Sequence, residues 1–345
     1  MSQPLRVALL GYGLAGAAFH APFISTTPDL ELAVVVTRDP DRRERALAAH
    51  RGVAVLDSAD EVWERKEELD LVVVATPNRF HVEHALQALE ARLPVVVDKP
   101  LAPSADEARS LVEAARELGP MLTVFQNRRW DGDFLTVRRL VAEGTLGDVH
   151  RFESRIDRWR PELGGTWRER TDEAGGLLLD LGSHLVDQAL QLFGPAETAY
   201  AEVDRRRPRA EVEDDVFVAL EHSSGTRSHL WMGAVAAQPG PRFRVLGDRS
   251  AFVKHGEDVQ EAALRAGGLP HEPGWGEEPR ESWGRLSVEG DLREVRTEPG
   301  DYGAFYRGIA ASLRDGRPPP VDPADAIRVL ELLERAGDVS RTVSA

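Results

Sequence analysis

Short, nearly uninterrupted apolar runs punctuate the first ~120 residues: Leu5–Leu10, Leu32–Val36, Leu71–Ala75, Val95–Val97 and Met121–Phe125. They are rich in β-branched residues and show no polar alternation. Strands buried on both faces of a parallel sheet read this way. Between them lie Ala/Arg/Glu-rich segments with helical spacing, such as "DPDRRERALAAH", "HVEHALQALEAR" and "SADEARSLVEAARELG". Alternation of strand and helix predicts an α/β fold with a doubly wound parallel sheet.

Beyond Phe125 the pattern changes. A helix is expected around Asp133–Glu143, then a strand in "DVHRFESRIDRWR", where polar and apolar residues alternate. A helix led by Gly-Gly follows, with strands near Ala199–Val203, Asp215–Glu221 and Arg227–Met232. Alternation predicts a mostly antiparallel sheet with one solvated face. Gly267–Gly284 reads as a long ordered loop, and two final helices are split by "GRPPPVDP". At about 150 residues per domain, 345 residues suggest two domains, placed at 1–123 and 124–345.

The formal net charge is −15. So acidic a chain repels phosphate backbones and anionic lipid, which argues against nucleic acid or membrane partners. The chain has no cysteine, which removes disulfides, thiolate nucleophiles and cysteine-bound metals. No apolar run approaches the ~20 residues of a membrane helix, and the N-terminal run is too short for a signal peptide. A soluble, cytoplasmic protein is expected.

"LRVALL" leads straight into "GYGLAGAAFHAPFI". Gly11, Gly13 and Gly16 stand in a G-x-G-x-x-G frame between a strand and a helix, the context a dinucleotide fingerprint requires. Gly11 would make the tight turn, Gly13 would admit the pyrophosphate, and Gly16 would let helix and strand pack closely. The whole loop, with Tyr12, Leu14 and Ala15, is the expected cofactor cradle, its helix N-terminus offering amides to the anion. The alternative is a purely structural turn. Where NAD-binding chains usually carry an acid for the ribose 2′-OH, Thr37 and Arg38 stand instead, with Asp39 behind them. An arginine there suits a 2′-phosphate, so NADP is expected, with NAD possible. Thr76, Pro77 and Asn78, at the end of the third strand, and His81 beyond are further cofactor candidates; Asn78 could equally cap the following helix.

Asp98-Lys99-Pro100 closes another strand, where an ammonium can polarise a carbonyl or hydroxyl; a solvated loop lysine is the plainer reading. In "GGLLLDLGSHLVDQAL", Asp180 and His184 are four apart and are expected on one helix face, with Leu177, Leu181 and Leu185 on a packed side and Asp187 and Gln188 extending the polar one. Histidine suits proton transfer near neutral pH. A buried His satisfied by a neighbouring Asp is the competing reading. A metal half-site lacks a second pair, and no metal is expected.

These three motifs in order, Gly11–Gly16, Asp98–Pro100 and Gly175–His184, resemble the Gfo/Idh/MocA oxidoreductases over essentially the whole chain. "QNRRWDGDFLTV" and "RWRPE…WRE" are similar to its NADP-dependent scyllo-inositol dehydrogenase branch. One departure is aspartate for the commoner glutamate before Lys99. The resemblance implies a Rossmann domain plus an α/β domain with an open sheet, and a cleft lined by Lys99, Asp180 and His184. His184 would be the general acid/base, Lys99 would hold the substrate oxygen, and Asp180 would orient substrate or lysine. Lys99–Pro100 is often cis in such proteins. Gln126, Asn127, Arg128, Trp130, Arg158, Trp159 and Trp167 are candidates for the wall around a polyol or sugar. The resemblance also implies subunit pairing through the open sheet, giving a homodimer or homotetramer. A family glycosidase with an internal redox cycle and a non-catalytic dinucleotide sensor are the alternatives; the catalytic trio argues against the sensor.

Overall fold

The computed structural model describes residues 3–289 and 291–343. The chain forms two compact units that interleave in sequence: Met1–Asn127 with Gln260–Trp275 and Tyr302–Ile327, and Arg128–Val259 with Gly276–Asp301 and Arg328–Ala345.

In the first unit, β1 (Leu5–Leu10), β2 (Leu30–Val36), β3 (Ala54–Leu56), β4 (Leu71–Val74), β5 (Val95–Asp98) and β6 (Leu122–Phe125) form one parallel sheet in the order β3-β2-β1-β4-β5-β6. Val72, Val73, Val95 and Val96 have no exposed surface. Helices on both faces exclude water from such strands, which is why they carry no polar alternation. The helices begin and end where short-range chemistry directs. Asp39 and Ser104 accept backbone N–H groups at the starts of Pro40–Ala49 and Ala105–Leu118. Gly119, at φ +98°, closes the latter. Strand order reverses between β1 and β4. The carboxyl ends of β1, β2, β4, β5 and β6 therefore share one edge, at the switch point where ligands bind in open α/β sheets. The helix Gly303–Asp315 packs in this unit: Phe305 and Tyr306 meet Phe125 at 4.9 and 5.9 Å between ring centroids.

The second unit holds β7 (Val149–Asp157), β8 (Ala196–Asp204), β9 (Asp215–His222), β10 (Arg227–Gly233), β11 (Phe243–Gly247), β12 (Ala251–Lys254), β13 (Gly284–Val288) and β14 (Asp291–Val295). Their order is β14-β13-β12-β11-β7-β10-β9-β8, antiparallel except for β7 and β10. The expected helix near Asp133–Glu143 spans Gly132–Ala142. One sheet face buries Phe152, Ile156, Val218, Leu230 and Phe243 with Leu185 and Val186. The other carries a row of larger side chains, Arg155, Trp231, Phe217 and Glu202, in register across β7, β10, β9 and β8. Among the described residues, no helix is long and apolar enough to cross a membrane.

Candidate active site

The glycine loop joins β1 to a helical segment whose first six residues, Ala15–His20, are wound as a π-helix before the α-helix Ala21–Thr26. A plain helix was the expectation. The Ala21 amide reaches Gly16 O, five residues back, and this wider winding turns His20 into the core. Each glycine answers to a different neighbour. Gly11 sits at φ +99°, and a Cβ there would stand 2.5 Å from Ala75 O. A Cβ on Gly16 would overlap the Gly11 carbonyl oxygen. At Gly13 the nearest atom would be the tip of Arg42, 3.7 Å away, so only this position leaves backbone open to an approaching group. The loop thus fits a dinucleotide pyrophosphate. Tyr12 is buried, with its hydroxyl 2.9 Å from His50 Nε2; Leu14 is exposed and Ala15 half-buried.

At the end of β2, Thr37 is buried, and its hydroxyl accepts from the Asp39 amide at 3.3 Å. Arg38 is exposed, with Nε on Asp57 O at 3.1 Å. Asp39 turns to its own helix: it accepts the Arg42 amide at 3.0 Å, and that bond holds its carboxyl below the ordinary range. Arg42 is a cofactor candidate that the sequence did not single out, because its nearness to Gly13 depends on how the two βα turns pack.

The turn after β4 places Thr76 and Pro77 beside the 3-10 turn Asn78–Phe80. Asn78 is buried, in the first position of that 3-10 turn. His81 departs from a direct cofactor contact. It is buried, with Nδ1 2.7 Å from Pro100 O and Nε2 2.8 Å from Thr76 O, and so ties the β4 turn to the β5 turn. Burial holds its pKa below the ordinary value despite nearby Asp98.

Lys99 leaves β5 on this edge, and the Lys99–Pro100 peptide is cis. Asp98 Oδ1 accepts the Lys99 amide at 2.9 Å and faces His20 Nε2 at 3.8 Å. His20 Nδ1 lies 2.5 Å from the Tyr306 hydroxyl. Burial pushes the Asp98 carboxyl up, but His20 and then the Lys99 ammonium outweigh it and hold it below the ordinary range. Burial and Asp98 push the Tyr306 hydroxyl well above its ordinary value. No sequence motif marks Tyr306. Gln126 is buried at the end of β6, and Asn127 is half-buried.

In the second unit the Gly-Gly turn opens a helix that is not continuous: Leu177–Asp180 and Gly182–Phe193 are separated at Leu181. Asp180 and His184 lie on successive helices rather than on one face of a single one, although Leu185 N still reaches Leu181 O at 3.2 Å. Gly175 lies against the Arg168 carbonyl, and Gly176, at φ +108°, against the Glu213 carboxylate; a Cβ at either would overlap them. Glu213 accepts the Leu178 amide at 3.0 Å, supplying the helix start with the acceptor that glycine cannot. His184 is 5% exposed.

Asp187 and Gln188 do not extend an exposed polar side. Asp187 is buried and takes both ends of Arg129 at 2.8 and 2.6 Å. Gln188 joins Arg128 O to Arg242, each at 2.8 Å. Arg128, expected in the substrate wall, is 4% exposed and lies 3.1 Å from Asp131, so it supports the fold beneath. Trp130 is half-buried. Arg158 and Asp180 line one cavity, together with Arg160, Arg168 and Glu213. Trp167 lies under the Arg168 guanidinium at 4.5 Å from its centroid, whereas Trp159 is 58% exposed.

Comparison with known proteins identifies the family. Residues 5–126 match the oxidoreductase-family NAD-binding Rossmann model, and 138–340 match the family's C-terminal alpha/beta domain. The NADP-dependent scyllo-inositol 2-dehydrogenase IolW of Bacillus subtilis is 36% identical over 98% of this chain and 94% of its own. D-glucoside 3-dehydrogenase of Escherichia coli is 35% identical over 56% of this chain and 55% of its own. The solved YvaA structure of Bacillus subtilis superposes with TM-score 0.93 at 34% identity, covering 99% of this chain and 97% of its own. A nucleotide-binding loop, a lysine at the same sheet edge and matches spanning both units converge on one conclusion: the chain belongs to the Gfo/Idh/MocA family and is an NAD(P)-dependent oxidoreductase.

Proposed function

We propose that this enzyme moves a hydride between NADP(H) and a secondary alcohol or ketone of an inositol, sugar or related polyol. The observation that carries the reading is the shared carboxyl edge of β1, β4 and β5, which sets the open backbone of Gly13, the Thr76 turn and Lys99 side by side in strand order. Bound there, the nicotinamide would supply the hydride donor or acceptor. Lys99 holds the reacting oxygen and stabilises charge developing on it. His184 gives or takes the hydroxyl proton, and Asp180 orients the substrate. Asn78 adjoins the nicotinamide end in this reading, and Gln126 belongs to the substrate wall. Similarity to the NADP-dependent inositol dehydrogenase supports the polyol class.

NADP is favoured because Arg38 stands exposed at the end of β2 and the Arg42 guanidinium, 3.4 Å from Asp39, reaches the loop at Gly13, while the Asp39 carboxylate is taken up by its own helix. Replacing Arg42 by Ala is expected to weaken NADPH binding about tenfold and NADH binding much less. Equal losses, or tighter binding of NADH by the unaltered enzyme, would reverse the cofactor assignment. The chain works as a cytoplasmic homodimer in this reading, pairing through the outer face of the second sheet. There Trp231 lies 4.9 Å from Phe217 and 3.7 Å from the Arg155 guanidinium, and Tyr200, 38% exposed, adjoins at 6.2 Å.

The test follows nicotinamide absorbance with NADP(H) and NAD(H) separately, against inositols, inososes, aldoses and ketosugars. Turnover of a polyol or its ketone with NADP(H) is expected. Cleavage of an aryl glycoside without net cofactor change would move the assignment to the family's glycosidases. Dinucleotide binding with neither reaction would make the protein a sensor.

A further inference from the structure

The cavity beside Asp180 is lined by four arginines in a chain whose net charge is −15. Arg207 is accounted for: it lies 2.8 Å from both Asp214 and Glu169 and is 8% exposed. Arg158 and Arg168 differ. The carboxylate nearest Arg158 is Glu257 at 3.6 Å, and the one nearest Arg168 is Asp180 at 3.7 Å, both beyond hydrogen-bond length. Of the other two acids on the wall, Glu169 is held by Arg207 and Glu213 is turned to the Leu178 amide.

Both arginines are held in place from the backbone. The Arg158 amide donates to Gly233 O at 2.8 Å, and Arg168 O accepts the Gly176 amide at 2.9 Å, which fixes it to the turn that starts the Asp180 helix. Trp167 under the guanidinium steadies Arg168 further. A substrate entering this space strips water from guanidinium groups whose carboxylate partners, at 3.6 and 3.7 Å, stand too far to take their N–H bonds. A neutral hydroxyl replaces that water poorly, whereas a pair of anionic oxygens offsets the charge and accepts parallel N–H bonds.

Resting on the hydride-transfer reading above, we propose that the preferred substrate is an anionic polyol, one carrying a carboxylate or phosphate that Arg158 and Arg168 bind while Asp180 receives its hydroxyls. Arg158 and Arg168 are then specificity-determining residues.

Calorimetry on the whole chain tests this with two matched pairs: D-glucuronate against D-glucose, and myo-inositol 1-phosphate against myo-inositol. The anionic member of at least one pair is expected to bind at least tenfold more tightly, and which pair responds tells carboxylate from phosphate. In Arg168→Gln, and independently in Arg158→Gln, that ratio should fall toward one. Equal or tighter binding of both neutral members, no binding of any probe, or a ratio that survives both substitutions would overturn the proposal. The nicotinamide assay keeps the two ideas apart. Turnover of neutral polyols without anion preference removes this inference alone. Anion-selective binding without any redox turnover removes the reaction and leaves the site.

Discussion

Gly16 shows how narrow the tolerance is at single positions. Its would-be Cβ meets a backbone oxygen rather than a flexible side chain, so the loop itself has to move. Gly16→Ala is expected to cost roughly 1–3 kcal/mol in denaturant unfolding and to weaken dinucleotide binding with it; unchanged values for both would mean that the helix has room the geometry denies. His184→Asn should lower turnover by about 10²–10⁴ while dinucleotide affinity moves less than threefold; near-normal rates would remove the histidine from proton transfer. Asp98 titrates in a defined direction. Its folded pKa lies below the model-peptide value of about 3.9, so its stabilising effect is complete above that pH and is lost as pH falls through the folded value. Unfolding curves of the parent and of Asp98→Asn should therefore converge on the acid side, and curves that stay parallel would show the carboxylate to be uncoupled.

Among elements, the broken helix Leu177–Phe193 carries two of the proposed catalytic residues, Asp180 and His184. The spacing of Asp180 and His184 was legible in the sequence, but the break at Leu181 was not. The break goes with a Gly-Gly start held by Arg168, in the loop just before it, and by Glu213, far downstream in sequence. Gly176→Ala is expected to disturb this start through both the positive φ and the overlap with Glu213. Turnover should fall more than tenfold while NADPH still binds, because the nucleotide loop lies in the other unit; full activity would show that the turn can relax. The buried parallel strands were readable from composition alone. β3, three residues at an edge, and the hairpin strands β11–β14 were not, because their pairing depends on partners rather than on a continuous apolar run.

At the scale of the whole molecule, two compact units arise from an interleaved chain, and the helix Gly303–Asp315 returns to the first. That return supplies Tyr306 to His20 and Asp98. The outer face of the second sheet gives the prediction proper to this scale. Phe217→Asp places a charge within the aromatic row and is expected to shift the sedimentation or light-scattering mass to that of one chain; a monomeric parent enzyme would rule out the face as an interface.

The sequence by itself determined the fold class, the glycine loop, the Lys99 strand end and the Gly-Gly helix, because each is written in local chemistry: buried β-branched runs, glycines, caps and helical spacing. Tertiary structure alone decided which polar groups face inward. Arg128, Asp187 and His81 looked like surface or ligand groups and are bound inside the fold, whereas Arg42 and Arg168 looked ordinary and stand beside Gly13 and Asp180. A side chain's charge is local, but its partner is set by packing between distant segments.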